Sequence, residues 1–152
     1  MRVLFDTNVL ISAALNSKGI PAKAVFKSFE NDEFVVCQVN IDEFRAKIGT
    51  KFTAKKAEME CFLQLIEGLA DVVKMPERVA FSERKIRDAK DRPILRAALA
   101  GKVDVIVTGD KDFLEAHLDW PLVMTPAEFL EYSDTPPDDP LNVADRNVDY
   151  NK

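Results

Sequence analysis

Histidine is almost missing from this chain, with His117 alone among 152 residues. It has no nucleophile signature beside it, and it is expected on a helix surface or packed partly against the core. No His-x-x-His spacing, Cys-x-x-Cys pair or glycine-rich phosphate loop occurs, so zinc, dithiol and P-loop chemistries lose their usual signatures. Cysteine is scarce too. Cys37 and Cys61 both stand in apolar surroundings, and buried thiols are expected rather than a disulfide. No apolar run approaches the length of a membrane-spanning helix. The opening, Met1-Arg2-Val3-Leu4-Phe5-Asp6, meets an acid too early for a signal peptide. A soluble, cytoplasmic protein with no membrane partner is expected. Basic residues are in deficit, with a net charge of −5. That balance does not favour contact with phosphate backbones. However, residues 133–152 hold five acids and two bases, a net of −3 that leaves −2 for the body.

What the chain does have is hydrophobic residues, at 47% of the total, enough for the core of one ordinary domain. Strand-like and helix-like stretches alternate through residues 1–132. Strands are expected at Arg2–Phe5, Phe34–Cys37, Asp71–Met75, Val103–Val107 and Leu122–Met124. A short helix or turn is expected at Val9–Leu15. Further helices are expected at Pro21–Glu30, Asn40–Ile48, Thr53–Leu69, Asp91–Ala100, Asp112–His117 and Pro126–Tyr132. In Thr53–Leu69 the apolar spacing selects Phe62, Leu63, Leu65, Ile66 and Leu69 for burial. Thr125 with Glu128 makes a capping box before the last helix. Arg84–Ala89 carries no clear pattern. The alternation implies an α/β fold with a mainly parallel sheet. The segment from Ser133 holds three prolines, scattered acids and few large apolar residues, and is expected to be a mobile or surface-lying acidic extension of the domain.

Carboxylates recur where strands or loops give way to helices. Asp6 follows Val3-Leu4-Phe5, with Asn8 two residues on. Asp110 and Asp112 follow the strand that ends at Val107-Thr108-Gly109. Glu43 lies in Asn40-Ile41-Asp42-Glu43, and Asp91 opens Asp91-Arg92-Pro93-Ile94. Each has an ordinary structural alternative. Asp6 and Asn8 fit an Asx turn or helix cap. Asn40 with Glu43 resembles a capping box, and Asp42 reads as a solvated first-turn acid. Asp91, with Asp88 one turn earlier competing for the role, fits a helix start. Asp110 and Asp112 fit a cap over the next helix. Taken together, four segments would bring carboxylates to one edge of a parallel sheet, where sites form in such folds. Buried like charges need a compensating cation. Carboxylate oxygens without histidine select Mg²⁺ or Mn²⁺, and clamps of this kind serve phosphoryl chemistry. The bases Arg45, Lys47, Lys51, Lys55 and Lys56 could follow a phosphate backbone, as could Lys85, Arg87, Lys90, Arg92 and Arg96. A solvated helix face is the commoner role for charge of this density.

At these residues the chain resembles the PIN-domain ribonucleases. The resemblance rests on Phe5-Asp6-Thr7-Asn8-Val9-Leu10, on Asp88-Ala89-Lys90-Asp91-Arg92-Pro93-Ile94-Leu95 and on Val107-Thr108-Gly109-Asp110-Lys111-Asp112-Phe113. It covers residues 1–132, and its closest flavour is the toxin component of bacterial toxin–antitoxin pairs. The resemblance implies a three-layer α/β/α sandwich and Mg²⁺- or Mn²⁺-dependent hydrolysis of RNA. It implies Asp6, Glu43, Asp91 and Asp110 as metal-binding and catalytic acids, Asp112 as a further catalytic acid, and Asn8 and Thr108 as orienting or substrate-binding residues. It also implies a homodimer and a small antitoxin protein as partner. The alternatives are a non-catalytic module of the same fold, a nuclease acting on structured DNA, and a phosphatase with an aspartyl nucleophile at Asp6. Asn8 stands where that last family places a second acid.

Overall fold

A computed structural model of the chain describes residues 1–133. Five strands form one sheet in the order β3-β2-β1-β4-β5, and every neighbouring pair is parallel. They are β1 (Arg2–Phe5), β2 (Glu33–Cys37), β3 (Asp71–Val73), β4 (Val105–Val107) and β5 (Leu122–Met124). The helices are α1 (Thr7–Leu15), α2 (Ile20–Asn31), α3 (Gln38–Thr50), α4 (Lys56–Leu69), α5 (Arg92–Ala100), α6 (Lys111–Leu114) and α7 (Pro126–Ser133). Short 3-10 turns occupy Thr53–Lys55 and Phe81–Lys85.

The unbroken apolar strands are explained by burial on both faces. Val3, Phe5, Phe34, Val36, Val105 and Val107 point to one side, where α1, α2, α3, α4 and α7 cover them. Leu4, Val35, Cys37 and Ile106 point to the other, against Ile94, Leu95 and Ala98 of α5 and Phe113 of α6. This is a three-layer α/β/α sandwich. On the first face Phe34 stacks between Phe5, at 4.9 Å, and Phe29, at 4.1 Å, and Phe129 meets the edge of Phe5 at 5.8 Å. Each fully buried ring or branched chain here contributes about 1.5–3 kcal/mol relative to exposure.

The strand order reverses direction beside β1, because the chain builds outward through β2 and β3 and then returns to place β4 on the other flank. That switch point opens a crevice at the carboxyl ends of β1 and β4. Register makes these ends level: Phe5 pairs with Val107, and the Asp6 N–H continues the ladder onto the Val107 carbonyl at 3.0 Å. At the opposite edge Arg2 bonds Glu33 and Asp71, both at 2.7 Å, tying three strands together.

Several local expectations need correction. Helix α3 starts at Gln38 with Cys37 as its cap residue, so Asn40 is already inside the first turn and caps nothing. Cys61 is exposed, unlike the buried Cys37. Leu65 and Leu69 of α4 face solvent at 47% and 61% exposure, and Met59 takes the core place. The helix expected at Asp112–His117 runs instead over Lys111–Leu114, beginning one residue earlier and ending three residues earlier, and His117 lies exposed beyond it with a positive φ of 52°. Arg84–Ala89 begins in the 3-10 turn. The Thr125–Glu128 capping box is present, with both reciprocal bonds at 3.1 Å. Apart from Ser133, the acidic C-terminal segment lies outside the described residues. Among the described residues no helix is long and apolar enough to cross a membrane.

Candidate functional site

The crevice begins with Asp6, which is only 7% exposed. Its backbone caps α1, and both carboxylate oxygens accept a bond: Oδ1 from the Thr7 N–H at 2.7 Å and Oδ2 from the Thr108 hydroxyl at 2.9 Å. Burial pushes the Asp6 carboxyl above the usual range. Those two bonds oppose the shift, and the charges of Glu43 and Asp110 add to it.

Glu43 reaches the same place from α3. Its Oε2 accepts from the Thr7 hydroxyl at 2.9 Å, and that hydroxyl accepts from Asn40 Nδ2 at 2.9 Å. Asn40 and Glu43 are three residues apart, hence neighbours on one helix face. Asn40 is fully buried because its amide anchors Thr7. The spacing read as a capping box is therefore a side-chain relay.

Thr108 joins the two central strand ends. Besides donating to Asp6 it accepts from the Asp110 N–H at 3.0 Å, and Asp110 Oδ1 accepts from the Asp112 N–H at 2.8 Å. Asp110 thus caps α6 with one oxygen. Asp91 stands at the cap position of α5 without capping it. Its Oδ2 is buried and receives no donor. Burial, then a side-chain hydrogen bond with the adjacent Asp110, then the charges of Asp110, Asp88 and Asp6 push Asp91 up to about 7.

Asp88, Asp91 and Asp112 each offer one oxygen within 4.8 Å of the others. Asp88 Oδ1 also accepts from the Lys90 N–H at 3.0 Å in an Asx turn, and Arg87 Nε donates to Asp112 at 3.0 Å. Asn8 is exposed, and its Oδ1 accepts from Lys47 Nζ at 2.9 Å, beside the acids rather than among them. The structure thus gathers Asp6, Glu43, Asp91, Asp110, Asp112 and Thr108 at the crevice and leaves Asn8 on its rim. Thr7, Asn40 and Asp88 join them as parts that sequence reasoning had not placed in the site. Their signals were the hydroxyl next to Asp6, the three-residue spacing to Glu43 and the acid one turn before Asp91.

Of the expected basic surface, Arg45 pairs with Glu67, and Arg96 pairs with the buried Glu83. The donor set at the crevice is entirely oxygen. With an orphaned carboxylate oxygen and two acids destabilised by burial and by one another, it suits a hard divalent cation.

A doubly wound parallel sheet with acids gathered at its switch point defines the class. The family model of the PIN domain matches residues 2–112, and the chain belongs to the PIN-domain family. The uncharacterized protein MJ1680 of Methanocaldococcus jannaschii is 28% identical, the match covering 86% of this chain and 90% of that protein. The fold is similar to VapBC2 from Rickettsia felis, solved bound to a DNA fragment from their promoter, with a TM-score of 0.62, 14% identity and coverage of 82% and 97%. It is also similar to FitAcB from Neisseria gonorrhoeae, with a TM-score of 0.59, 20% identity and coverage of 82% and 98%.

Proposed function

We propose that this protein is a Mg²⁺- or Mn²⁺-dependent endoribonuclease, and that residues 1–132 carry the activity. The observation that bears most weight is the buried, donor-free Oδ2 of Asp91 beside Asp110, at the crevice where Asp6 and Glu43 also converge. Asp6, Glu43, Asp91 and Asp110 are the residues that would hold the cation, directly or through water, and Asp112 and Asp88 flank them. The cation would supply charge for the phosphate and lower the pKa of the attacking water.

The remaining work belongs to the chain's own groups. Thr108 and the Thr7 N–H fix both oxygens of Asp6, and Asn40 through Thr7 fixes the rotamer of Glu43. Such supporting bonds set the aim of charged groups that would otherwise repel. Asp91, raised to about 7 by burial and by its acidic neighbours, takes up a proton more readily than an ordinary carboxylate until the site is loaded. Asn8 and Lys47, bonded together at the rim, are placed to meet the substrate backbone. An aspartyl nucleophile is less well supported, because both Asp6 oxygens are engaged and the carboxyl is buried.

The likeness to VapBC2 and FitAcB supports a toxin component of a toxin–antitoxin pair with a small antitoxin protein as partner, and we propose that it works in the cytoplasm as a homodimer. Purified protein incubated with unstructured RNA, with Mg²⁺, Mn²⁺ or chelator, tests the activity. Cleavage that persists in chelator, or none with either metal over a broad RNA panel, overturns it.

A further inference from the structure

Among the described residues the most exposed large apolar side chain is Phe81, at 81%. It opens the 3-10 turn Phe81–Lys85, and the guanidinium of Arg84 lies over its ring at 4.9 Å from the centroid. One face of the ring is therefore backed by a cation while most of the ring stays open to solvent. Arg84 also lines a cleft of about 390 Å³ together with Val79, Ala89, Arg92 and Pro93. Three of its lining residues, Ala89, Arg92 and Pro93, stand within two positions of Asp91 in the chain, which sets the cleft on the Asp91 side of the acids.

The turn is held rigidly. Glu83, 2% exposed, accepts from Arg96 of α5 through both oxygens, at 2.9 and 3.0 Å, and Arg96 also reaches the Pro76 carbonyl at 3.3 Å. That clamp neutralises Arg96 and Glu83 against one another. Arg84 has no carboxylate partner among the described residues, and Arg92 bonds the Ile86 carbonyl through Nε alone. An acidic chain thus places a cation-backed, exposed aromatic ring beside a cleft that Arg84 and Arg92 line, with neither guanidinium paired to a carboxylate among the described residues.

Resting on the nuclease reading above, we infer that Phe81, backed by Arg84, stacks an unpaired base of a single-stranded polynucleotide on the Asp91 flank of the site, with Arg92 meeting the adjoining phosphate. Any base presents a π-face, so the platform selects single-stranded over paired substrate without selecting sequence. A base held inside a duplex cannot reach it.

The test uses the full chain and a labelled, unstructured RNA oligonucleotide, with binding followed by anisotropy in Ca²⁺ and in chelator, and cleavage followed separately in Mg²⁺ and Mn²⁺. Phe81→Ala should weaken single-strand binding by roughly 5- to 150-fold, the range of one base–aromatic stack, and Phe81→Trp should restore it. Its new indole should be quenched by the oligonucleotide, beyond any change seen in the parent from Trp120. Replacing the stacked nucleotide by an abasic one should weaken the parent and leave Phe81→Ala unaffected. With Phe81 this exposed, the melting temperature of Phe81→Ala should match the parent's. If the parent binds and cleaves while Phe81→Ala equals it in both, the stacking inference is overturned and the nuclease reading stands. If the parent neither binds nor cleaves, both fall.

Discussion

Replacing Asp91 by Asn separates a helix cap from a ligand, because Asn caps a helix about as well as Asp. The Asp91 side chain accepts no bond from the start of α5, so the substitution removes no cap. What it removes is one charge beside Asp110, Asp88 and Asp6. Without metal, the folded-state pKa of about 7 lies above the ordinary carboxylate value of 3.8, so the native state binds the proton more tightly than the unfolded chain. The stabilisation is complete below the unfolded pKa and is lost as pH rises through the folded one. One such proton sets a ceiling of about 1.4 kcal/mol per pH unit. Asp91 is only half-buried, and solvent screening reduces this to about 1 kcal/mol across the window, or roughly 2–5 °C of melting temperature. The parent in chelator should therefore melt lower near about pH 8 than near about pH 5 through this group, and Asp91→Asn should flatten that part of the slope. Saturating Mg²⁺ reverses the order. At 100 times its dissociation constant the metal adds about 2.7 kcal/mol to the parent, and Asp91→Asn should gain clearly less. Melting curves at both pH values, with chelator and with excess Mg²⁺, read all four states. If parent and variant coincide in all four and cleave RNA equally, Asp91 is not a ligand and the proposed metal site is wrong.

Other outcomes follow from the relay and from the C-terminal segment. Thr7→Val keeps the side-chain shape but removes the acceptor of Asn40 Nδ2 and the donor to Glu43. It should cost about 1–3 kcal/mol for the buried amide left unsatisfied and lower the cleavage rate further than stability alone explains; thermal melts and single-turnover cleavage check both. Truncation after Tyr132 should move the melting temperature by only a few degrees, because the segment from Ser133 has few core-forming residues; a large loss would show that it docks on the body.

The strands were legible because burial on both faces leaves an uninterrupted apolar run such as Val105–Val107, bounded by Asp104 and Thr108. The start of α3 was not. β2 passes into α3 with no turn residue between them, and Asn40, which looked like the cap, is committed to Thr7 instead. In α4 the periodicity offered more apolar residues than one face can bury, and only packing decided that Met59 goes in while Leu65 and Leu69 stay out. Asp6, Asp91 and Asp110 were legible because each stands where a helix starts, whereas Glu43 lies within α3. Their roles were harder to read, because capping and ligation use the same residue at the same place. Asp110 caps with one side-chain oxygen, whereas Asp91 has the position of a cap without its side-chain bond. Phe81 lies in a segment without periodicity, so nothing local distinguished an exposed ring from a core one.

The most direct measurement is metal-dependent RNA cleavage by the parent beside Asp6→Asn and Asp91→Asn, each first shown to be folded by its melting curve. If the crevice is a metal-dependent nuclease site, the parent cleaves in Mg²⁺ or Mn²⁺ and not in chelator, and both variants lose at least a hundredfold (about 2.7 kcal/mol of barrier). Undiminished cleavage by folded variants, or cleavage by the parent in chelator, would contradict it.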